Sequence, residues 1–156
     1  HPNLMRQDVI TANQMMEAVQ SVWPRCDYGV FSAAVADYRP LSKSKEKIKK
    51  NKDVLDIKLT KNPDILSWAS ASREKHQKVI GFALETNNEE ENALKKLERK
   101  KLDMIVLNST NDDQATFGGD LNKVTIFDKA QNKIEFPLQT KLNIGIELMN
   151  LISKEQ

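Results

Sequence analysis

Five lysines crowd one short stretch, Lys43, Lys45, Lys47, Lys49 and Lys50, and the carboxylate of Asp37 precedes them. Ammonium groups spaced this closely can meet an anionic ligand as point charges. The chemistry such a row serves is nucleotide or phosphoryl chemistry, in which a protein positions reactants and stabilises charge without forming bonds of its own. A second basic pair, Lys96 and Lys100, stands four residues apart. On a helix that spacing puts both on one face. If that face looks towards Lys47, the two clusters make one anion site. A solvated basic turn has the same composition. What favours the anion site is the order of residues: apolar strand, then Asp37, then lysines. Ligands of open α/β sheets sit beyond the carboxyl ends of strands.

Other chemistries lack their parts. His1 and His76 are the only histidines, and neither sits among metal ligands. There is no paired-cysteine or His-Glu-His metal spacing, no Walker loop and no nucleophile elbow. Gly81-Phe82 lacks the triple-glycine dinucleotide fingerprint. The single cysteine, Cys26, allows no internal disulfide and suits a reducing cytoplasm, which is the expected location. It precedes an apolar strand and reads as a core-edge thiol. Hydrophobic residues make up 39% and charged residues 29%, enough for one core in an ordinary soluble domain. The formal charge is only +2, so anion affinity must come from local clustering. No run is long and apolar enough to span a membrane, and no signal peptide is evident, so no membrane partner is expected.

The elements that must position these groups follow from periodicity. Asp8-Val9-Ile10 reads as a short strand and Thr11 as the cap of a helix over 12–23, ended by Pro24. Residues 27–36 read as the central strand, nearly continuous in apolar character and covered on both faces. Alanines at 33, 34 and 36 leave room for a flat ligand against the backbone, or for close helix packing. Residues 38–53 read as a loop and 54–60 as a half-buried strand. Asn62 caps a second helix, with Pro63 at its first helical position and Ile65, Leu66, Trp68 and Ala69 facing inward. Its N-terminus could hold an anion; Asp64 there is explained equally well by the helix dipole.

Residues 78–84 are a core strand in which Gly81 allows close backbone approach and Phe82 either packs against a base or fills the core. Residues 87–101 form a helix with Glu89, Glu90 and Glu91 first and Lys95, Lys96, Arg99, Lys100 and Lys101 last, as the dipole favours. A third core strand, 103–107, leads into a polar loop over 108–122. A hairpin of 123–127 with 133–137 and a closing helix over 140–153 complete the chain. Alternating strands and helices give an α/β class with parallel pairing.

Ala33-Ala34-Val35-Ala36-Asp37-Tyr38-Arg39, followed by Glu46-Lys47-Ile48-Lys49-Lys50, resembles phosphopantothenoylcysteine synthetase. That enzyme is the C-terminal half of the bacterial bifunctional coenzyme A biosynthesis flavoprotein. Three further blocks match in the family's order: Lys61-Asn62-Pro63-Asp64-Ile65-Leu66, Gly81-Phe82-Ala83-Leu84-Glu85-Thr86-Asn87 and Lys100-Lys101-Leu102-Asp103. The similarity runs from about Asp8 to about Ile152.

The resemblance implies one synthetase domain over 1–156, a three-layer Rossmann-like sandwich with a mostly parallel sheet and a C-terminal hairpin plus helix. It implies that CTP activates the carboxylate of 4'-phosphopantothenate with Mg2+ present, and that cysteine then attacks the acyl-cytidylate. Those three substrates are the expected partners, together with a second copy in a homodimer; nucleic acid is not.

Carried over motif by motif, nucleotide binding falls on Phe31, Ser32, Ala33, Asp37, Lys47, Pro63, Asp64, Ile65, Leu66, Phe82, Lys96 and Lys100. The backbone at Ala33 is expected to read the base, Asp37 to act on ribose or the metal, and Lys47 to be the catalytic cation. Residues 39–50 gain a second possible role as a lid over the neighbouring subunit's substrate. The family's domain opens with a glycine-rich strand-loop-helix and then an Asn and Ser-Gly segment, and nothing before Asp8 supplies them. The chain opens His1-Pro2-Asn3-Leu4 without an initiator Met. A domain truncated at its N-terminus, inactive alone and without flavin, is therefore expected.

Two rival readings are a nucleotide- or RNA-binding module without catalysis and a structural remnant that folds and dimerises. Against the first stand the low net charge and the lack of aromatic residues interleaved with the basic ones.

Overall fold

The computed structural model describes residues 3–42, 44, 46–48, 54–109 and 119–154. In chain order the elements are helix α1 (Ala12–Val22), a 3-10 turn (Trp23–Arg25), strands β1 (Tyr28–Phe31), β2 (Tyr38–Pro40) and β3 (Leu59–Lys61), helix α2 (Ile65–Ser72), β4 (Lys78–Glu85), α3 (Glu89–Arg99), β5 (Met104–Ser109), β6 (Leu121–Asp128), β7 (Lys133–Thr140) and α4 (Lys141–Ser153). They form two compact units, residues 1–25 with 34–65, and residues 26–33 with 66–156.

The larger unit holds a five-stranded sheet of order β1-β4-β5-β6-β7. The first three strands are parallel, and β6 and β7 are antiparallel additions. Parallel strands need both faces covered. Accordingly Val79, Ile80, Ile105 and Val106 of β4 and β5 are almost wholly buried. On one face Ile80, Met104, Val106, Val124 and Ile126 cluster with Ile144, Leu148 and Ile152 of α4. Those three recur every four residues, one stripe of a helix. Thr140 caps α4 by accepting from the Asn143 N–H.

On the opposite face a Cβ added at Gly81 would stand 2.8 Å from Leu102 Cδ1 and 3.1 Å from Leu66 Cδ2. The space opened by this glycine is thus filled by leucine methyls, not by a ligand. Helices on both faces give the expected α/β layering, with a parallel core and a closing hairpin and helix. Among the described residues, no helix is long and apolar enough to cross a membrane.

Helix α3 closes in a Schellman turn. The Lys101 N–H donates to the Glu98 carbonyl and the Leu102 N–H to the Leu97 carbonyl, each at 3.0 Å, with Lys101 at φ 51°. Leu97 and Leu102, the positions at which the motif usually carries apolar residues, are both buried. The turn delivers Asp103, 7% exposed, to the amino rim of the sheet. Its Oδ2 accepts from the Val79 N–H at 2.9 Å and from Arg73 Nη1, its own N–H donates to the Val79 carbonyl, and its carbonyl accepts from the Lys129 N–H. Gln77 seals the same rim, donating to the Cys26 carbonyl and accepting from the Glu74 N–H.

The smaller unit holds α1 and the antiparallel pair β2-β3. Thr11 and Gln14 form a reciprocal capping box at the start of α1. The Ile10 N–H also donates to Gln14 Oε1. Asp8 to Ile10 is therefore no strand, because its end is given over to the cap.

Three other expectations are corrected. Residues 27–36 are not a central strand: β1 spans four residues and ends the strand order, with Val30 42% exposed and 32–36 exposed throughout. Residues 38–40, read as loop, are strand β2. Of 54–60 only Leu59 and Thr60 fall in β3, and the apolar side chains meant to be half-buried are open, Val54 at 72% and Ile57 at 58%.

Candidate functional site

The expected site residues divide between the two units. Phe31, Ser32, Ala33, Leu66, Phe82, Lys96 and Lys100 lie in the larger one. Asp37, Lys47, Pro63, Asp64 and Ile65 lie in the smaller one. Lys43, Lys45, Lys49 and Lys50 of the lysine row fall outside the described residues.

In the larger unit the parallel register sets Phe31 beside Gly81, so the end of β1 runs next to Phe82 of β4. Phe31 is half-buried, and Ser32 and Ala33 are exposed immediately beyond it. The ammonium of Lys96 on α3 donates to the Phe82 carbonyl at 2.8 Å. A helix-borne cation is thus fixed to the strand whose carboxyl half it faces. Lys100 lies one turn on, its N–H donating to the Lys96 carbonyl at 3.0 Å, which confirms the shared helical spacing. Phe82 packs partly against the α4-side cluster. Leu66 packs on Gly81, so its side chain serves the core.

In the smaller unit the segment bearing Asp37 is held by Asn62, next to the β2-β3 pairing. Asn62 donates through Nδ2 to the Ala36 carbonyl at 2.7 Å and through its N–H to the Asp37 carbonyl at 2.8 Å. Its Oδ1 accepts from Arg39 Nη1 at 3.0 Å, and the same guanidinium reaches the Lys61 carbonyl at 2.7 Å. Asn62 therefore works as a clamp on the Ala-Asp-Tyr-Arg segment, not as the helix cap expected from its position. Asp37 itself is exposed, with its main chain pinned behind it. Lys47 and Asp64 are exposed, Pro63 is half-buried and Ile65 is buried. Sequence reasoning missed the clamp because its partners lie more than 20 residues away; two matching blocks ending in Arg39 and beginning at Lys61 were the available signal.

Among the described residues no group of three or more His, Cys, Asp or Glu side chains could hold a metal. Asp37 is an exposed carboxylate. That fits an ion such as Mg2+, which takes one or two carboxylates and completes its shell with water and substrate phosphates.

The family model described as DNA/pantothenate metabolism flavoprotein C-terminal domain matches residues 1–155. Over 145 residues the chain is 42% identical to a cysteine/cysteine sulfinic acid decarboxylase from an unknown prokaryotic organism, covering 93% of this chain and 40% of that protein. Over 145 residues it is 39% identical to the coenzyme A biosynthesis bifunctional protein CoaBC of Bacillus subtilis strain 168, covering 93% of this chain and 36% of that one. The chain thus spans about two fifths of the length of these curated relatives. Among solved structures it is similar to the C-terminal domain of a CoaBC protein, with TM-score 0.73 and 36% identity over 94% of this chain and 65% of that one. The DNA/pantothenate metabolism flavoprotein from Streptococcus pneumoniae shares the fold, with TM-score 0.77, 22% identity and coverage of 100% and 75%.

Proposed function

The chain belongs to the DNA/pantothenate metabolism flavoprotein C-terminal domain family, and from that premise we propose that it serves the ligation of 4'-phosphopantothenate to cysteine in coenzyme A biosynthesis, driven by CTP. In the first step a carboxylate oxygen of phosphopantothenate attacks the α-phosphorus of CTP. The bond to pyrophosphate breaks and an acyl-cytidylate forms. In the second step the amine of cysteine attacks the acyl carbon, the bond to CMP breaks, and the amine gives up a proton.

Both steps demand that anions be gathered and their growing charge offset, which fixed cations do without covalent chemistry. The observation that carries the reading is the parallel β1-β4 register together with the Lys96–Phe82 bond, which supplies a cation fixed to the carboxyl half of a core strand. On this reading Phe31, Ser32, Ala33 and Phe82 receive the base, with the backbone at Ala33 reading it. Lys96 and Lys100 meet phosphate, and Lys47 supplies the cation at the reacting centre. Pro63, Asp64, Ile65 and Leu66 contribute the start of α2 to the nucleotide, through backbone where Ile65 and Leu66 are used in packing. Asp37 would hold Mg2+, which when bound supplies charge neutralisation on the triphosphate. A homodimer is part of the reading. The exposed apolar side chains of Val54, Leu55, Ile57 and Leu59, close together in the chain, support it, because apolar surface left open to water favours an interaction.

The test is calorimetric titration of CTP with Mg2+ into the chain, beside a random oligonucleotide. Selective CTP binding is expected, weakened at least about tenfold by Lys47→Gln, as for loss of one charge-assisted bond. Oligonucleotide binding with a steep salt dependence and no CTP binding would overturn it in favour of a nucleic-acid module.

A further inference from the structure

We propose that Asn108 reads the nucleobase by accepting a hydrogen bond from its exocyclic amine, an inference that rests on the CTP reading and deepens it. Asn108 lies near the carboxyl end of β5, opposite Leu84 of β4 and Val124 of β6. Side chains alternate across a strand, so Asn108 shares a face with Met104 and Val106. Through the pairing of Val106 with Phe82, it also shares that face with the aromatic ring of β4. This is the end of a parallel strand at which α/β ligands are bound.

The Oδ1 atom of Asn108 is shut off from water, and no donor among the described residues reaches it. Buried acceptors left without a partner are rare and costly. The missing partner must be a donor. Phosphate, pyrophosphate and carboxylate groups only accept and do not supply it; the ribose hydroxyls donate but are the same in CTP and UTP, and the hydroxyl and amide N–H of the acyl substrate are absent from both, so a CTP-over-UTP preference is the signature of the base alone. The amine of cytosine donates. The carbonyl that uracil carries at the same position accepts and would set two oxygens against each other. Phe82 on the same face offers the flat surface against which a base lies.

The experiment titrates CTP and UTP, each with Mg2+, into the wild-type chain and into Asn108→Ala and Asn108→Leu, with thermal unfolding of all three. The wild type is expected to prefer CTP by at least about tenfold, the scale of one buried hydrogen bond. In both variants the preference should fall to within about threefold, while UTP affinity changes little. Asn108→Leu, which removes the orphaned acceptor, should unfold at an unchanged or higher temperature. A preference that survives in folded variants, equal weakening of both nucleotides, no preference in the wild type, or loss of the fold in both variants overturns the proposal while the CTP reading stands. If the wild type binds neither nucleotide, the CTP reading fails and this inference falls with it.

Discussion

The ammonium of Lys96 donates to the carbonyl oxygen of Phe82 at 2.8 Å, tying a helix-borne cation to the strand beside it. The bond is charge-assisted and part-buried, and on the proposed reading the same cation also meets phosphate. Lys96→Met keeps the alkyl stem and removes the donor. It is expected to lower stability by about 1–2 kcal/mol in urea unfolding. CTP affinity should fall by more than stability alone explains, as read by titration under conditions where the variant is fully folded.

Asn62 holds the main chain at Ala36 and Asp37 and receives Arg39. Asn62→Ala removes both side-chain bonds while leaving Asp37 and Arg39 in place. A loss of about 1–2 kcal/mol is expected from two exposed or half-buried bonds. Because Asp37 is then held less firmly, the Mg2+ dependence of CTP binding should weaken. A Mg2+ titration that matches the wild type would show that the clamp has no bearing on the ligand.

Lys101 sits at φ 51° in the position that most helices give to glycine. The left-handed conformation costs a residue with a Cβ about 1 kcal/mol or more. Lys101→Gly is therefore expected to raise stability by up to about 1 kcal/mol, after the entropy glycine loses on folding. CTP affinity should be unchanged, since Lys101 belongs to the helix stop and not to the Lys96–Lys100 pair.

Asp128 closes the β6-β7 hairpin. Burial opposes its charge, but the Asn132 side chain and the N–H groups of Asn132 and Ala130 outweigh this and hold its carboxyl below the ordinary value of 3.8. A depressed folded-state pKa means stability that is present above pH 3.8 and is lost as pH falls through the folded value. The stability gap between the wild type and Asp128→Asn should thus be constant from neutral pH down to about that value and shrink below it. Urea midpoints measured across that range check the sign; a gap that widens in acid would contradict it.

Local signals were the most legible part of the sequence. Thr11 announces a helix as its cap, and that cap forms, with Gln14 as its reciprocal partner; Thr140, which reads as the first residue of the closing helix, is its cap. Strands β4 and β5 were readable because their apolar runs are long and are buried on both faces. The reading failed where small or apolar residues were taken as buried without a partner to bury them. Ala33, Ala34 and Ala36 fall in a stretch that reads as a strand covered on both faces and yet are exposed, and Val54 and Ile57 alternate like a strand without being in one. Spacing and motif single out Lys96, Lys100 and Phe82, and the fold sets Lys96 on Phe82, whereas the partners of Asn62 and the unpartnered Oδ1 of Asn108 are defined only by the folded arrangement.

Asp103 fastens β4, β5 and the turn after β6 at the amino rim of the sheet, with its side chain and both of its main-chain groups engaged. Phe31, Phe82 and Asn108 stand towards the other rim and share none of those bonds. On the proposed reading, a change at Asn108 that alters base preference would leave every one of those fastenings in place.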